Sequence, residues 1–112
     1  GFDAATLVEV IEHIEPHRLS ALVLSLFADA RPRMVVMTTP NREYNVLFEG
    51  LKDGKLRHPD HRFEWTRAEF ESWANMVADE HGYGVIFAPL GPVDDTHGGP
   101  SQMAVFKQEG AV

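Results

Sequence analysis

Two short apolar runs that flank one amphipathic pattern constrain the fold more than any other feature of this chain. Residues 2–10 form a mostly apolar run too short for an independent helix, and residues 34–39 (MVVMTT) are rich in β-branched side chains. Between them, Pro16 suits a first helical turn, and apolar residues then recur at helical spacing up to Arg31-Pro32 (Leu19, Leu22, Val23, Leu26 and Phe27). The pattern predicts a buried strand, a helix and a second, parallel strand joined by a right-handed crossover.

The second half of the chain predicts another helix followed by a hairpin. Thr66-Arg67-Ala68-Glu69 has the form of a capping box, and an apolar stripe leads from it to an expected stop at Gly82 (Phe70, Trp73, Ala74 and Val77). Residues 83–90 and 102–107 are predicted strands, and the Gly/Pro/Asp-rich segment between them is short enough for antiparallel pairing. The expected fold class is therefore α/β, with helices on a mostly parallel sheet and a terminal antiparallel hairpin.

Composition limits the classes of function. With 112 residues the chain forms at most one domain. It has no cysteine, which excludes disulfides, zinc-thiolate sites and a cysteine nucleophile. The formal net charge of -7 argues against a surface that wraps duplex nucleic acid. No apolar run reaches the length of a membrane span and no signal peptide is visible, so we expect a cytoplasmic protein without membrane contact.

Positive charge is nevertheless concentrated in the middle of the chain. Residues 44–62 predict an irregular loop with a short helical turn at 45–51. Six basic residues lie in and around it (Arg42, Lys52, Lys55, Arg57, Arg62 and Arg67). A mixed solvated surface is the favoured interpretation, and the segment becomes a substrate rim only if a metal site lies beside it. Phe63 and Trp65 could stack on a nucleobase, but such residues more often belong to the core.

The strongest chemical signal is the group Glu9, Glu12 and His13 at the end of the first predicted strand. Side chains three and four positions apart project from the same side of a helical turn, so these three can converge. His61, in the run DHRFEWTR at 60–67, would have to join them through the tertiary structure. Two carboxylates and two imidazoles form a suitable ligand set for one divalent ion such as Mn²⁺ or Mg²⁺.

Each part of this group has a structural alternative. A Glu-x-x-Glu-His sequence is common where a strand meets a helix, and a single histidine is often a surface residue. His58 competes with His61 for the ligand role. Three polar residues follow the second predicted strand (Asn41, Tyr44 and Asn45). Their position fits a structural role in a loop as well as it fits contact with a ligand. The chain has no serine triad of recognised order and no glycine-rich phosphate loop, so nothing supports a hydrolase.

At these residues the chain resembles the S-adenosylmethionine-dependent 2′-O-methyltransferases that modify the 3′-terminal ribose of small RNAs, including the bacterial RNA-repair members. The resemblance rests on FDAATLVEVIEH at 2–13, TTPNREYNV at 38–46, the run at 60–67 and QMAVF at 102–106. The Glu-x-x-Glu-His pattern is also similar to small-molecule methyltransferases of the quinone type. The run at 60–67 is much more specific than this pattern, and it favours the RNA enzymes.

The resemblance implies the carboxyl-terminal half of a Rossmann-like class I methyltransferase sheet. Residues 1–112 would then be a single partial domain that lacks the amino-terminal half holding S-adenosylmethionine, and that is inactive alone. The resemblance also implies that a Mn²⁺ or Mg²⁺ ion coordinates the 2′- and 3′-hydroxyls of the terminal ribose. The implied ligands of this ion are Glu9, Glu12, His13 and His61. His13 and His61 are the candidate proton acceptors, a role that stays open between them, and the candidate substrate-binding residues come from the loop positions (Asn41, Tyr44, Asn45 and Arg62).

The implied partners are the 3′ end of RNA and a kinase or ligase subunit of an RNA-repair assembly. The first strand would lack a neighbour in this chain, so its exposed edge predicts self-association. Two other functions stay open at this point. One is a fragment of a small-molecule, quinone-type O-methyltransferase, and the other is a non-catalytic metal-binding or assembly module.

Overall fold

The computed structural model describes residues 3–47 and 62–109. Strands and helices alternate in these ranges until a final pair of strands. The strands are β1 (Ala4–Val8), β2 (Met34–Pro40), β3 (Tyr83–Leu90) and β4 (Ser101–Gln108), and the main helices are α1 (Pro16–Val23) and α2 (Arg67–His81). Within the described ranges no helix has the length and apolar character needed to cross a membrane.

The four described strands form one mixed sheet in the order β1-β2-β4-β3. β1 and β2 are parallel, as expected for a strand-helix-strand unit, with Ala4 opposite Met34 and Val8 opposite Thr38. β4 is antiparallel to both of its neighbours, so β1, β2 and β3 run in the same direction. The predicted α/β class and the terminal β3-β4 hairpin are confirmed.

β1 differs from its prediction in length and in burial. The predicted range began at Phe2, which lies outside the described residues, and β1 ends at Val8 because Glu9 adopts a positive φ of 54°. Exposed and half-buried residues alternate along the strand, and Val8 is 62% exposed. The prediction of a buried strand was therefore wrong: among the described strands β1 pairs with β2 alone and forms an edge of the sheet.

The first helical segment extends to Ala30 as predicted but changes its winding. α1 follows the α-helical pattern to Val23, and Leu24–Ala30 continues as a π-helix. The main-chain N–H of Arg31 donates to the carbonyl of Leu26, five residues back, at 2.9 Å. Arg31 itself is left-handed (φ 44°), and its guanidinium donates to the carbonyls of Phe27 and His81. These bonds hold the end of the segment against α2.

α2 and the hairpin agree closely with the sequence patterns. Both bonds of the capping box are present, because Thr66 Oγ1 accepts from the Glu69 N–H and Glu69 Oε1 accepts from the Thr66 N–H. Gly82 ends the helix with a φ of 74°, and β3 spans the predicted 83–90. α2 packs its buried side on the sheet, where Phe27, Tyr83 and Phe106 form the centre of the core.

Candidate metal and substrate site

The candidate site lies where the two parallel strands end. Glu9 follows β1, and its N–H donates to the carbonyl and to Oγ1 of Thr38 in β2, at 3.0 and 3.1 Å. The positive φ of Glu9 turns the chain sharply into a 3₁₀ turn, Ile11–His13. The predicted acidic group therefore begins at the carboxyl edge of the sheet, which is where α/β proteins bind ligands.

Glu12 and His13 are brought together in that turn. The side chain of Glu12 is fully buried, and its Oε1 accepts a 2.9 Å hydrogen bond from Thr39 Oγ1. His13 Nε2 lies 3.8 Å from Glu12 Oε2, while 43% of the His13 side chain is exposed. The Glu12 carbonyl accepts from the main-chain N–H of Arg62 at 2.6 Å. This bond ties the segment that begins at Arg62 to the acidic turn.

The carboxylate of Glu9 is held by a residue from the far end of the sequence. Ser101 Oγ, at the start of β4, donates to Glu9 Oε1 at 2.8 Å. Glu9 Oε2 is also buried but has no hydrogen-bond partner in the part of the chain that the structure describes. A buried acceptor in this state carries an uncompensated desolvation cost, so the geometry favours a donor or a cation at this oxygen.

The residue types fit a divalent cation, since carboxylate oxygens and imidazole nitrogens suit Mn²⁺ and Mg²⁺ to different degrees. Across 3–47 and 62–109, however, no three His, Asp or Glu side chains are grouped closely enough to hold a metal ion. His61, the fourth predicted ligand, and its competitor His58 lie outside the described residues. The expected convergence of Glu9 with Glu12 and His13 is therefore not found in the described residues, and the four-residue metal site stays a prediction.

Asn41 fixes the loop between β3 and β4 to the end of β2. It is only 1% exposed, and its Nδ2 donates to the carbonyls of His97 (2.7 Å) and Gly99 (2.9 Å). Its Oδ1 accepts from the Glu43 N–H at 3.1 Å. Both amide hydrogens therefore support the framework, so ligand contact at Asn41 stays a prediction.

The other predicted substrate-binding residues differ in their exposure to solvent. Asn45 is buried, and its Nδ2 donates to the buried carboxylate of Glu64 at 2.6 Å. Tyr44 is half-buried and Arg62 is exposed. Among these candidates, Tyr44 and Arg62 are thus the side chains with accessible surface, and the main chain of Arg62 is bonded to the acidic turn.

The basic segment around residues 42–67 carries mixed charge in its described part, in line with the favoured interpretation of a mixed surface. Arg67 forms a paired contact with Glu43, in which Nε donates to Oε1 at 2.8 Å and Nη2 to Oε2 at 3.2 Å. Glu43 Oε1 also accepts the Arg67 N–H at the first turn of α2, and Arg67 Nη2 donates to the Thr96 carbonyl. Arg42 and Arg62 are exposed, whereas the remaining basic residues lie outside the described ranges (Lys52, Lys55 and Arg57).

We expect the contact between Glu43 and Arg67 to make the free energy of unfolding depend on pH. The hydrogen bond from the Arg67 side chain lowers the pKa of Glu43 from its ordinary value of 4.5. A lowered pKa means that the stabilising contribution is present above the unfolded-state value and is lost as the pH falls through the folded-state value. The difference in unfolding free energy between wild type and Glu43→Gln should therefore be largest near neutrality and shrink below about pH 4. Urea titrations at several pH values measure it, and a difference independent of pH would contradict the assignment.

Phe63 and Trp65, the two residues considered for base stacking, pack against the core. The rings of Phe63 and Trp65 lie 4.5 Å apart between centroids, and Trp65 lies 5.2 Å from Trp73. All three are partly buried against the core cluster. The favoured interpretation of Phe63 and Trp65 as core residues is confirmed.

A cavity of about 340 Å³ lies beside the candidate site. Asn41 and Ser101 contribute to its wall, and its other walls come from α2, β3 and the loop between β3 and β4. Its lining includes three acidic residues, Glu71, Asp94 and Asp95. Hydrogen bonds from His97 lower the pKa of Asp94, which keeps that carboxyl ionised. Arg67 also lines the cavity, but the three acidic residues leave an excess of negative charge, which makes it a poor place for a phosphate group.

Thr39, Ser101, Glu43 and Glu64 contribute to the site, yet the sequence patterns did not single them out as functional. Thr39 had one usable signal, because it is the last residue of the predicted strand at 34–39, beside the predicted acidic group. Ser101 had none, since 92 positions separate it from Glu9. Two other hydrogen bonds also lack a local sequence pattern. The bond between Glu43 and Arg67 spans 24 positions, and the bond between Glu64 and Asn45 spans 19.

The sheet order, the strand-end turn and the helices define the fold of a Rossmann-like methyltransferase domain. The chain is 50% identical to the crystallised methyltransferase domain of a bacterial Hen1 protein, CtHen1, with a TM-score of 0.82 over 96% of this chain and 53% of that one. It is 45% identical over 109 residues to the small RNA 2′-O-methyltransferase of Xenopus tropicalis, covering 95% of this chain and 29% of that protein. No protein-family model matches. The chain is thus a relative of the small RNA 2′-O-methyltransferases and corresponds to the carboxyl-terminal part of their methyltransferase domain, as the resemblance implied.

The same fold occurs in a larger assembly. The chain matches one chain of a Pnkp1/Rnl/Hen1 RNA repair complex at 26% identity and a TM-score of 0.71, over 96% of this chain and 23% of that one. It spans less than a third of the length of the first curated relatives it matches.

Proposed function

We propose that the protein to which this chain contributes transfers a methyl group from S-adenosylmethionine to the 2′-hydroxyl of the 3′-terminal ribose of RNA. The names of the relatives support this reaction, and the carboxyl-edge position of Glu9, Glu12 and His13 supports this site. Because the chain spans about half of the bacterial domain, the activity belongs to a larger methyltransferase domain of which these residues are one part.

One contact carries the assignment of the site. The main-chain N–H of Arg62, the residue next to His61 in the sequence, donates to the carbonyl of Glu12. A residue from the narrow run at 60–67 is therefore bonded directly to the acidic turn. This contact supports a ligand set in which His61 joins Glu9, Glu12 and His13.

In this proposal the four residues hold Mn²⁺ or Mg²⁺, which supplies Lewis-acid activation of a ribose hydroxyl. Glu12 contributes a carboxylate fixed by the strand, and the half-exposed His13 contributes an imidazole near the surface. His13 or His61 would accept the proton of the 2′-hydroxyl on a ring nitrogen that is not bound to the ion, a role that needs this nitrogen within hydrogen-bond reach of that oxygen. Tyr44 and Arg62 contact the terminal nucleotide, and Asn41 and Asn45 hold the loops that present them.

Two kinds of partner follow from the same proposal. One chain of a Pnkp1/Rnl/Hen1 RNA repair complex shares this fold, which supports other subunits of an RNA-repair assembly, a kinase or a ligase, as partners. The open edge of β1 provides unpaired main-chain groups for another strand, either from the rest of the domain or from a second copy. We place the protein in the cytoplasm.

The test is methyl transfer by the full-length protein to two RNAs that differ only at the 3′ end. One RNA ends in a 2′,3′-diol and the other in a 3′-deoxyribose. If both hydroxyls are held during the reaction, we expect at least about a 100-fold lower kcat/KM for the deoxy RNA, because orientation and hydroxyl activation are lost together.

Equal rates on the two RNAs would exclude a role for the vicinal diol. Turnover of a quinone or catechol precursor with none on RNA would instead support the small-molecule methyltransferase. Binding of Mn²⁺ without any methyl transfer would support the non-catalytic module. Each outcome separates one of the three hypotheses from the others.

A further inference from the structure

We propose that Ser101 and Thr39 are positioning residues that fix the carboxylates of Glu9 and Glu12 for a bound cation. This inference rests on the proposed function, because it assigns the residues that hold two of its predicted ligands in place. It concerns neither the ligands themselves nor the substrate. Its basis is a pair of hydroxyl groups supplied by neighbouring strands.

The contact of Ser101 leaves one oxygen of Glu9 for another partner. Ser101 Oγ donates to Oε1 at 2.8 Å, while the buried Oε2 has no hydrogen-bond partner among the described residues. An ionised carboxylate only accepts hydrogen bonds, so a donor or a cation must satisfy the second oxygen. The serine hydroxyl thus fixes the rotation of the carboxylate, and the second oxygen is presented in a defined direction.

Thr39 holds Glu12 in the same way. Neither Thr39 nor Glu12 is exposed to solvent, and Thr39 Oγ1 donates to Glu12 Oε1 at 2.9 Å. The opposite oxygen, Oε2, faces His13 Nε2 at 3.8 Å. The hydroxyl contact therefore lies on one side of the carboxylate and the predicted imidazole ligand on the other.

The two hydroxyls come from strands that are paired with each other. In the β2-β4 register, Thr39 lies opposite Gln102, and Ser101 lies opposite the next residue, Pro40. Thr39 and Ser101 are therefore one register step apart, and because successive side chains alternate between the two faces of a sheet, their hydroxyls hold Glu12 and Glu9 from opposite faces of the strand ends. Hydrogen bonds of this kind orient metal ligands, and their removal typically weakens metal binding by about 10- to 100-fold.

The experiment measures Mn²⁺ affinity by calorimetric titration of the full-length protein and of the variants Ser101→Ala and Thr39→Val. We expect each variant to bind Mn²⁺ about 10- to 100-fold more weakly than wild type. The matched controls, Ser72→Ala and Thr6→Val, change exposed residues of α2 and β1 and should bind like wild type. Ser101→Thr keeps the hydroxyl and should restore affinity to within about threefold.

Thermal unfolding of the metal-free proteins separates positioning from structure. A weaker Mn²⁺ affinity in a Ser101→Ala protein that unfolds near the wild-type temperature supports the inference. If Ser101→Ala does not fold, Ser101→Thr decides: restored affinity supports the positioning role, and weak affinity in a folded Ser101→Thr protein overturns it. Wild-type affinity in both hydroxyl-lacking variants overturns this inference alone. Absence of Mn²⁺ binding by the wild type overturns the metal site and this inference together.

Discussion

Replacing Glu12 by glutamine should lower kcat/KM for methyl transfer by at least about 100-fold in the full-length protein. The substitution keeps an oxygen that accepts from Thr39 and fits the same buried volume, so the turn at Ile11–His13 should survive. It removes the negative charge that a divalent ion requires from this ligand. Loss of a ligand should cost at least as much as loss of the hydrogen bond that orients it, which is about 10- to 100-fold.

The matched control is Glu80→Gln, which removes the same charge from an exposed position of α2. This variant should keep wild-type kinetics, because exposed charges far from a site contribute little. Activity is measured with the 2′,3′-diol RNA at saturating Mn²⁺, and folding is checked by circular dichroism. A folded Glu12→Gln protein with more than about a third of the wild-type rate would show that Glu12 is not a ligand.

Replacing Phe27 by alanine should destabilise the fold by about 3–5 kcal/mol, the cost of truncating a fully buried phenylalanine. Phe27 has no exposed surface, and its ring meets the rings of Phe106 and Tyr83 edge-on at 4.9 and 5.1 Å. The cavity left by alanine would lie between the helical segment and both strands of the hairpin. Urea unfolding of the two proteins measures the difference.

Leu24→Ala provides the control for this cavity, because Leu24 belongs to the same π-helical segment but is 56% exposed. Its cost should stay near about 0.5 kcal/mol, as for surface substitutions in general. Similar losses of unfolding free energy in the two variants would mean that the π-helical segment as a whole, and not the buried ring of Phe27, limits stability.

The local patterns predicted most of the regular structure. The capping box at Thr66, the stop at Gly82 and the strand at 83–90 depend on neighbouring residues, and the structure has them where predicted. The insertion of β4 between β2 and β3 depends on pairing between distant segments, which no local pattern contains. The prediction that β1 is buried was wrong for a related reason, because burial depends on the neighbours of a strand as well as on its own residues.

The candidate site was predictable only where its residues are close in sequence. Glu12 and His13 share one turn, and their spacing indicated it. The π-helical winding after Val23 and the left-handed backbone at Glu9 had no distinguishing signal, since neither Glu nor Leu marks such a conformation. The hydroxyl of Ser101 reaches Glu9 only after the whole sheet has formed, so sequence spacing could not reveal it.

The position of β4 also determines when this part of the protein can assemble during synthesis. β4 is the last of the described strands to leave the ribosome, yet it provides the pairing partner of β3 and one of the two partners of β2. Until it emerges, β1 and β2 are the only pair of described strands that can form, and Glu9 lacks the hydroxyl of Ser101. The acidic turn therefore acquires its final geometry only after β4 has been synthesised, so a ribosome stalled before residue 101 would carry a chain without the finished site.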